Sequence, residues 1–199
     1  MSKNNSGLVS YAKSQIGKPY WWGTFGQYGT KALYEQKKKQ YPTAYTWPYD
    51  SGTDSIKVHD CSGLVKGYLM CDNNDSTPVY NPSFDMNAAG LYNYSKERGH
   101  ITDMPDLPGL LVFYDTLDHV GVYIGDGKVV QAANLNAGVV ETSLGSDSRW
   151  TFWAKCPYVE YKVSSGNNFT VLNKDATLLL STIRNTLLNI VDLIDELQK

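Results

Sequence analysis

Hydrophobic positions along the chain follow two periods, one helical and one strand-like. Leu8, Ala12 and Ile16 recur every four residues and predict a helix over 8–16, ended by Gly17 and Pro19. Cys61, Leu64, Val65, Tyr68 and Leu69 fall on one face of a second helix, which starts at Cys61 with Asp60 as its N-cap. A polar loop over 72–83 and a helix over 85–97 follow. Past Pro105 and Pro108 the period shortens to two. Leu110–Tyr114, His119–Gly125, Lys128–Ala133 and Val139–Thr142 read as strands, and Trp150–Tyr161 as a further strand or pair of strands. Helices followed by a strand meander predict an α+β fold, with helices packed on an antiparallel sheet. Between Tyr20 and His59 there is no strong period. That stretch reads as a long irregular insertion, with Lys37–Lys39 on a solvated face.

Near residue 164 the pattern changes. Ser164-Ser165-Gly166-Asn167-Asn168 reads as a linker, and Leu180, Ile183, Leu187, Ile190, Ile194 and Leu197 then form a heptad seam. The chain therefore divides into a domain over 1–163, a linker over 164–176 and an amphipathic helix over 177–199. Apolar residues outside the seam, such as Leu178, Leu188 and Val191, widen the surface that must be covered. Self-association, or docking on a carrier such as a virion, is the expected role; folding back onto the domain is the competing one. No run of 18 apolar residues is present, so membrane insertion is not expected.

Composition narrows the function. A net charge of −2 argues against nucleic-acid binding. The 15 tyrosines and 5 tryptophans suit surfaces that grip sugars or peptides. Three cysteines at irregular spacing suggest neither a disulfide framework nor a metal site, and no cofactor is implied. The opening MSKNNSGLVSYAKSQ lacks the apolar core of a secretion signal, which predicts synthesis in a cytoplasm without a leader.

Candidate chemistry centres on Cys61. At a helix start, unpaired N–H groups and the helix dipole favour a thiolate, so titration below the free-thiol value of about 8.5 is expected. Its own N–H is placed to hold an oxyanion. Cys71 and Cys156 lack this setting and read as buried structural residues. Of the three histidines, His59 lies across the helix cap with its ring directed elsewhere, and His100 sits in a glycine-flanked loop. His119 heads a strand in which Val120, Val122 and Ile124 face the core, leaving His119, Gly121 and Tyr123 on the other face. His119 is thus the candidate base.

Hairpin geometry leaves the third residue open. A three-residue Gly125-Asp126-Gly127 loop sets Gly121 opposite Gln131, which then lies diagonally beside His119. A two-residue Asp126-Gly127 turn sends Gln131 into the core and sets Asn134 opposite His119. Both loops are common.

Asp60-Cys61-Ser62-Gly63-Leu64, followed 58 residues after the cysteine by His119-Val120-Gly121-Val122-Tyr123-Ile124-Gly125, resembles the NlpC family of cell-wall peptidases. The segment Gly17-Lys18-Pro19-Tyr20-Trp21-Trp22-Gly23 is similar to that family's entry motif. The resemblance spans residues 8 to 161. It implies a papain-like α+β core, Cys61 as nucleophile, His119 as base, and hydrolysis of an amide in the peptidoglycan stem, usually after γ-D-glutamate. It favours Gln131 as the third catalytic residue. It makes Tyr20 an oxyanion contact, and Ser62, Trp22 and Asp118 substrate or supporting contacts. The long gap before Asp60, glutamine in place of the family's frequent histidine, and the heptad tail depart from the pattern. The CHAP amidases and peptidases share the Cys–His chemistry but fit the Asp-Cys-Ser-Gly-Leu string less well. An N-acetylmuramoyl amidase and a virion structural or wall-binding component stand as alternatives. A wall hydrolase without a leader suggests a phage or prophage lysin.

Overall fold

The computed structural model describes residues 3–162, together with 182, 183 and 186. The chain separates into two compact units, Met1–Lys162 and Val163–Lys199. In the second unit Thr182, Ile183 and Thr186 are helical and exposed. The expected linker over 164–176 and the rest of the heptad helix lie outside the described residues.

In the first unit the leading helix α1 spans Asn5–Ser14. It starts before the first periodic residue because the Asn4 side chain accepts a hydrogen bond from the Gly7 N–H and caps it. Helix α3, Cys61–Met70, begins where the pattern predicts: the Asp60 carboxylate accepts from the Gly63 N–H. The expected helix over 85–97 is a shorter α4, Ala88–Tyr94, after which the chain turns into strand β3, Arg98–His100. Strands β4 (Leu111–Tyr114), β5 (Val120–Gly125), β6 (Lys128–Asn134), β7 (Gly138–Ser143) and β8 (Trp150–Ala154) follow. The final strand thus ends well short of Tyr161.

These strands form one antiparallel six-stranded sheet in the order β3-β8-β4-β5-β6-β7. The architecture is α+β, as the element order predicts. Leu8, Tyr11 and Ala12 of α1, Leu64 and Val65 of α3, and Leu91 of α4 pack on Leu111, Phe113, Val120, Val122 and Val130. This is the core face read from Val120, Val122 and Ile124. The opposite face is not open to solvent: Tyr123, Val112, Val129 and Trp150 form a second buried cluster there.

The segment before Asp60 corrects the sequence reading. It is not an irregular loop. Strand β1 (Phe25–Tyr28) pairs with β2 (Lys57–His59), and α2 (Lys31–Gln40) lies between them. Buried Trp21, Tyr34, Tyr45 and Val58 hold this insertion together as a small aromatic core, with Tyr45 stacked on Trp47 at 4.7 Å. Tyrosine and tryptophan fill it through edge-to-face and stacked contacts that leave no simple period in the sequence. Lys37 is also corrected: Lys38 and Lys39 are exposed, but Lys37 is buried.

Candidate active site

Asp60 organises the site. Its side chain is enclosed, and it accepts hydrogen bonds from Gly63 N–H at 2.5 Å, Gly23 N–H at 2.9 Å and Ser62 Oγ at 3.1 Å. One carboxylate thereby caps α3 and ties the Tyr20–Gly23 segment to the helix start. Close approach is possible because residue 63 is glycine. A Cβ there would stand 1.8 Å from the Thr24 carbonyl oxygen.

Cys61 occupies the first turn of α3. Its thiol donates to the Asp118 carbonyl at 3.9 Å, the residue before His119. The N–H groups of Ser62, Val120 and Cys61 itself act on the sulfur and favour the thiolate. Burial and the neighbouring Asp60 charge outweigh them, and the thiol is pushed up to about 12. This reverses the depressed value expected from the helix terminus alone.

His119 precedes β5, which starts at Val120. Its Nε2 lies 2.7 Å from the Gln131 Oε1, and Gln131 Nε2 donates onward to Thr142 Oγ1 at 3.0 Å. With the amide nitrogen committed to Thr142, the oxygen faces the ring. Nε2 therefore carries the hydrogen, and Nδ1 keeps its lone pair. Burial lowers the His119 pKa from the ordinary 6.5, and the Gln131 bond pulls it partly back up. The ring sits among aromatic faces, 4.6 Å from Tyr114 and 5.7 Å from Trp150.

The register that makes the Gln131 contact has an unexpected origin. Val122 pairs with Val130 and Tyr123 with Val129, the pairing of the three-residue loop. The turn itself, however, closes Gly125 on Lys128 around two residues, Asp126 (φ 51°) and Gly127 (φ 66°). A bulge between Tyr123 and Gly125 reconciles the two, with Gly125 at φ 93° supplying the left-handed conformation. Asn134 is exposed, and its Oδ1 caps a turn by accepting from the Asn136 and Ala137 N–H groups.

An open groove of about 890 Å³ reaches Cys61. Its wall includes Cys61, Ser62 and Asp118, the exposed Trp22, and Lys37 from the insertion; His119 and Gln131 are not part of it. Tyr20 stands outside the groove wall, half-buried. The nearby Cys61 and Asp60 add to burial in pushing its hydroxyl pKa up. Ser62 is buried on Asp60. Asp118 meets the thiol through its carbonyl, while its carboxylate accepts from Thr116. His59 is fully buried in β2, with Nε2 3.0 Å from the Tyr11 hydroxyl. Sequence reasoning missed Thr142, Tyr114 and Trp150. Only strand register could have pointed to Thr142, because it contacts Gln131 from the next strand.

Over 132 residues the chain is 28% identical to the murein DD-endopeptidase MepH of Escherichia coli (strain K12), an alignment covering 61% of this chain and 42% of that protein. The chain thus spans less than half the length of that relative. Among solved structures, the peptidoglycan hydrolase RipB of Mycobacterium tuberculosis is 22% identical with a TM-score of 0.47, covering 78% of this chain and 65% of that one. The P60 domain of a Mycobacterium avium subspecies paratuberculosis antigen is 20% identical with a TM-score of 0.48, over 78% of this chain and 95% of that one. The model of the NlpC/P60 family matches residues 46–156, more than half of the chain, and the chain belongs to that family.

Proposed function

We propose that this chain hydrolyses an amide bond in the stem peptide of bacterial peptidoglycan, after γ-D-glutamate, with Cys61 as nucleophile and His119 as base. One observation carries the reading: the Gln131 amide holds His119 as the Nε2–H tautomer, one residue from the backbone that receives the Cys61 thiol. In the first step the sulfur attacks the carbonyl carbon while its proton passes to Nδ1 of His119. The Cys61 N–H and the Tyr20 hydroxyl stabilise the oxyanion. The C–N bond then breaks, and the imidazolium returns the proton to the leaving amine. Water, deprotonated by the same imidazole, hydrolyses the thioester and regenerates the thiol. Gln131 positions the ring throughout, as a neutral amide does in other Cys–His peptidases.

The test is mass spectrometry of purified peptidoglycan incubated with the chain. Release of a free amine on the residue after γ-D-glutamate is the expected product. Cys61→Ala abolishes it, and Cys71→Ser retains it. Cleavage at the D,D bond named for the E. coli relative, or at the glycan–peptide amide, would reassign the bond. Undiminished cleavage by Cys61→Ala would overturn the thiol mechanism.

A further inference from the structure

Helix α2 and its aromatic core do more than fill space. The Tyr45 hydroxyl donates to the Trp22 carbonyl at 2.7 Å, which docks the insertion on the segment that Asp60 ties to α3. On α2, Tyr34 is buried in the aromatic core, and Lys37 follows one turn later on the same side, in the groove wall. The insertion thus presents one lysine to the groove that contains the nucleophile.

That lysine is unusual. Lys37 exposes only 9% of its surface, yet its ammonium has no hydrogen-bond or ion-pair partner among the described residues; it lies 5.8 Å from the Tyr41 ring centre. The other charged groups of the groove are engaged. Lys66 pairs with Asp85 at 2.9 Å, and Asp85 also accepts from the Tyr80 hydroxyl. Asp60 accepts from three donors, and Asp118 accepts from Thr116. Most of the Lys37 side chain is buried while its ammonium makes no hydrogen bond, and charged groups held against a protein in this way are normally paired. Compensating the α2 dipole does not explain it. Lys38 and Lys39 stand exposed in the same last turn and serve that end of the helix without burial. Burial lowers the Lys37 pKa, opposed first by the charge of nearby Asp60, and a further anion entering the groove would favour the ammonium in the same way.

We propose that Lys37 forms a carboxylate-binding subsite in the groove, selecting stem peptides that carry a free carboxylate at that point. The proposal rests on the peptidase reading. It adds a specificity residue from an insertion outside the resembling motifs. A γ-linked glutamate keeps its α-carboxyl ionised, and the residue after it can carry another, so the substrate class supplies the anion.

Calorimetric titration of the full chain carrying Cys61→Ala measures this without turnover. The probes are a synthetic stem peptide containing γ-D-glutamate and its carboxamide counterparts, amidated one carboxyl at a time. One carboxamide is expected to bind about ten- to a hundredfold more weakly than the acid, the range for a charge-assisted hydrogen bond. Adding Lys37→Met should erase that preference while leaving carboxamide binding unchanged, and Lys37→Arg should restore it. An acid preference that persists in Lys37→Met, or no binding of any probe by the Cys61→Ala parent, overturns the subsite. Wall digestion by the unmodified chain is scored separately, so loss of the subsite and loss of the peptidase reading are told apart.

Discussion

Replacing Gln131 with alanine probes the part of the site that fixes the imidazole. The substitution removes the 2.7 Å bond to His119 Nε2 and strands the half-buried ring N–H and the Thr142 hydroxyl. Orphaning a buried donor costs about 1–3 kcal/mol. If that cost falls on the ring orientation needed in the transition state, kcat/KM drops about five- to 150-fold at neutral pH. The pH profile gives a second readout. Burial already lowers the His119 pKa, and the Gln131 bond is the largest effect opposing it. Without that bond the pKa falls further, so the acid limb of kcat/KM moves to lower pH even as the plateau drops. Gln131→Glu should move the limb the other way, because a carboxylate stabilises the imidazolium. Steady-state rates on a soluble muropeptide across pH measure both. Asn134→Ala serves as the control: its bonds lie within one exposed turn. An acid limb that rises in Gln131→Ala, or a larger loss from Asn134→Ala, would refute the assignment.

Two further expectations follow from burial. Alkylation of Cys61 by iodoacetamide in the free protein should titrate above the free-thiol value of about 8.5, toward about 12; a midpoint below about 8.5 would show that the backbone N–H groups win over burial. His59 is held down to about 3 by burial, while in the unfolded chain it titrates near 6.5. The unfolded state therefore binds the extra proton, and stability falls as pH drops through the window from 6.5 to about 3, by up to about 1.4 kcal/mol per pH unit. Chemical denaturation of His59→Gln should show a shallower loss over that window, and an identical slope would remove His59 from the account.

Much of this arrangement is legible in the residues. Asp60 ahead of an apolar face announces α3, and alternation in Val120, Val122 and Ile124 announces β5, because capping and period are local properties. The insertion was not legible. Tyr34, Trp21 and Tyr45 meet across the α2 fold rather than along one element, so no window of sequence contains their pattern. Lys37 was misread for the same reason: three consecutive lysines look alike until tertiary packing turns one inward. Gln131 lay between. Its face depends on hairpin register, and the bulge at Gly125 combines the turn of one alternative with the pairing of the other.

The same distinction decides the electrostatics of the nucleophile. A helix start supplies amide donors wherever it occurs, and two of them, those of Cys61 and Ser62, act on the Cys61 sulfur together with the Val120 N–H of β5. Their stabilisation of a thiolate competes with loss of solvent and with the charge of Asp60, the very residue that caps the helix. Here the cap works against the dipole it terminates. Burial also disfavours the imidazolium of His119, so both groups are driven toward their neutral forms. An ion pair waiting before substrate arrives is not what this balance favours. Under the proposed mechanism the proton would instead leave sulfur as the carbonyl is attacked, when negative charge is passing from sulfur to an oxygen that the Cys61 N–H can meet. Under the proposed mechanism the basicity of Nδ1 would then govern the rate, and Gln131, which raises it against the pull of burial, would be a determinant of activity rather than a bystander on the next strand.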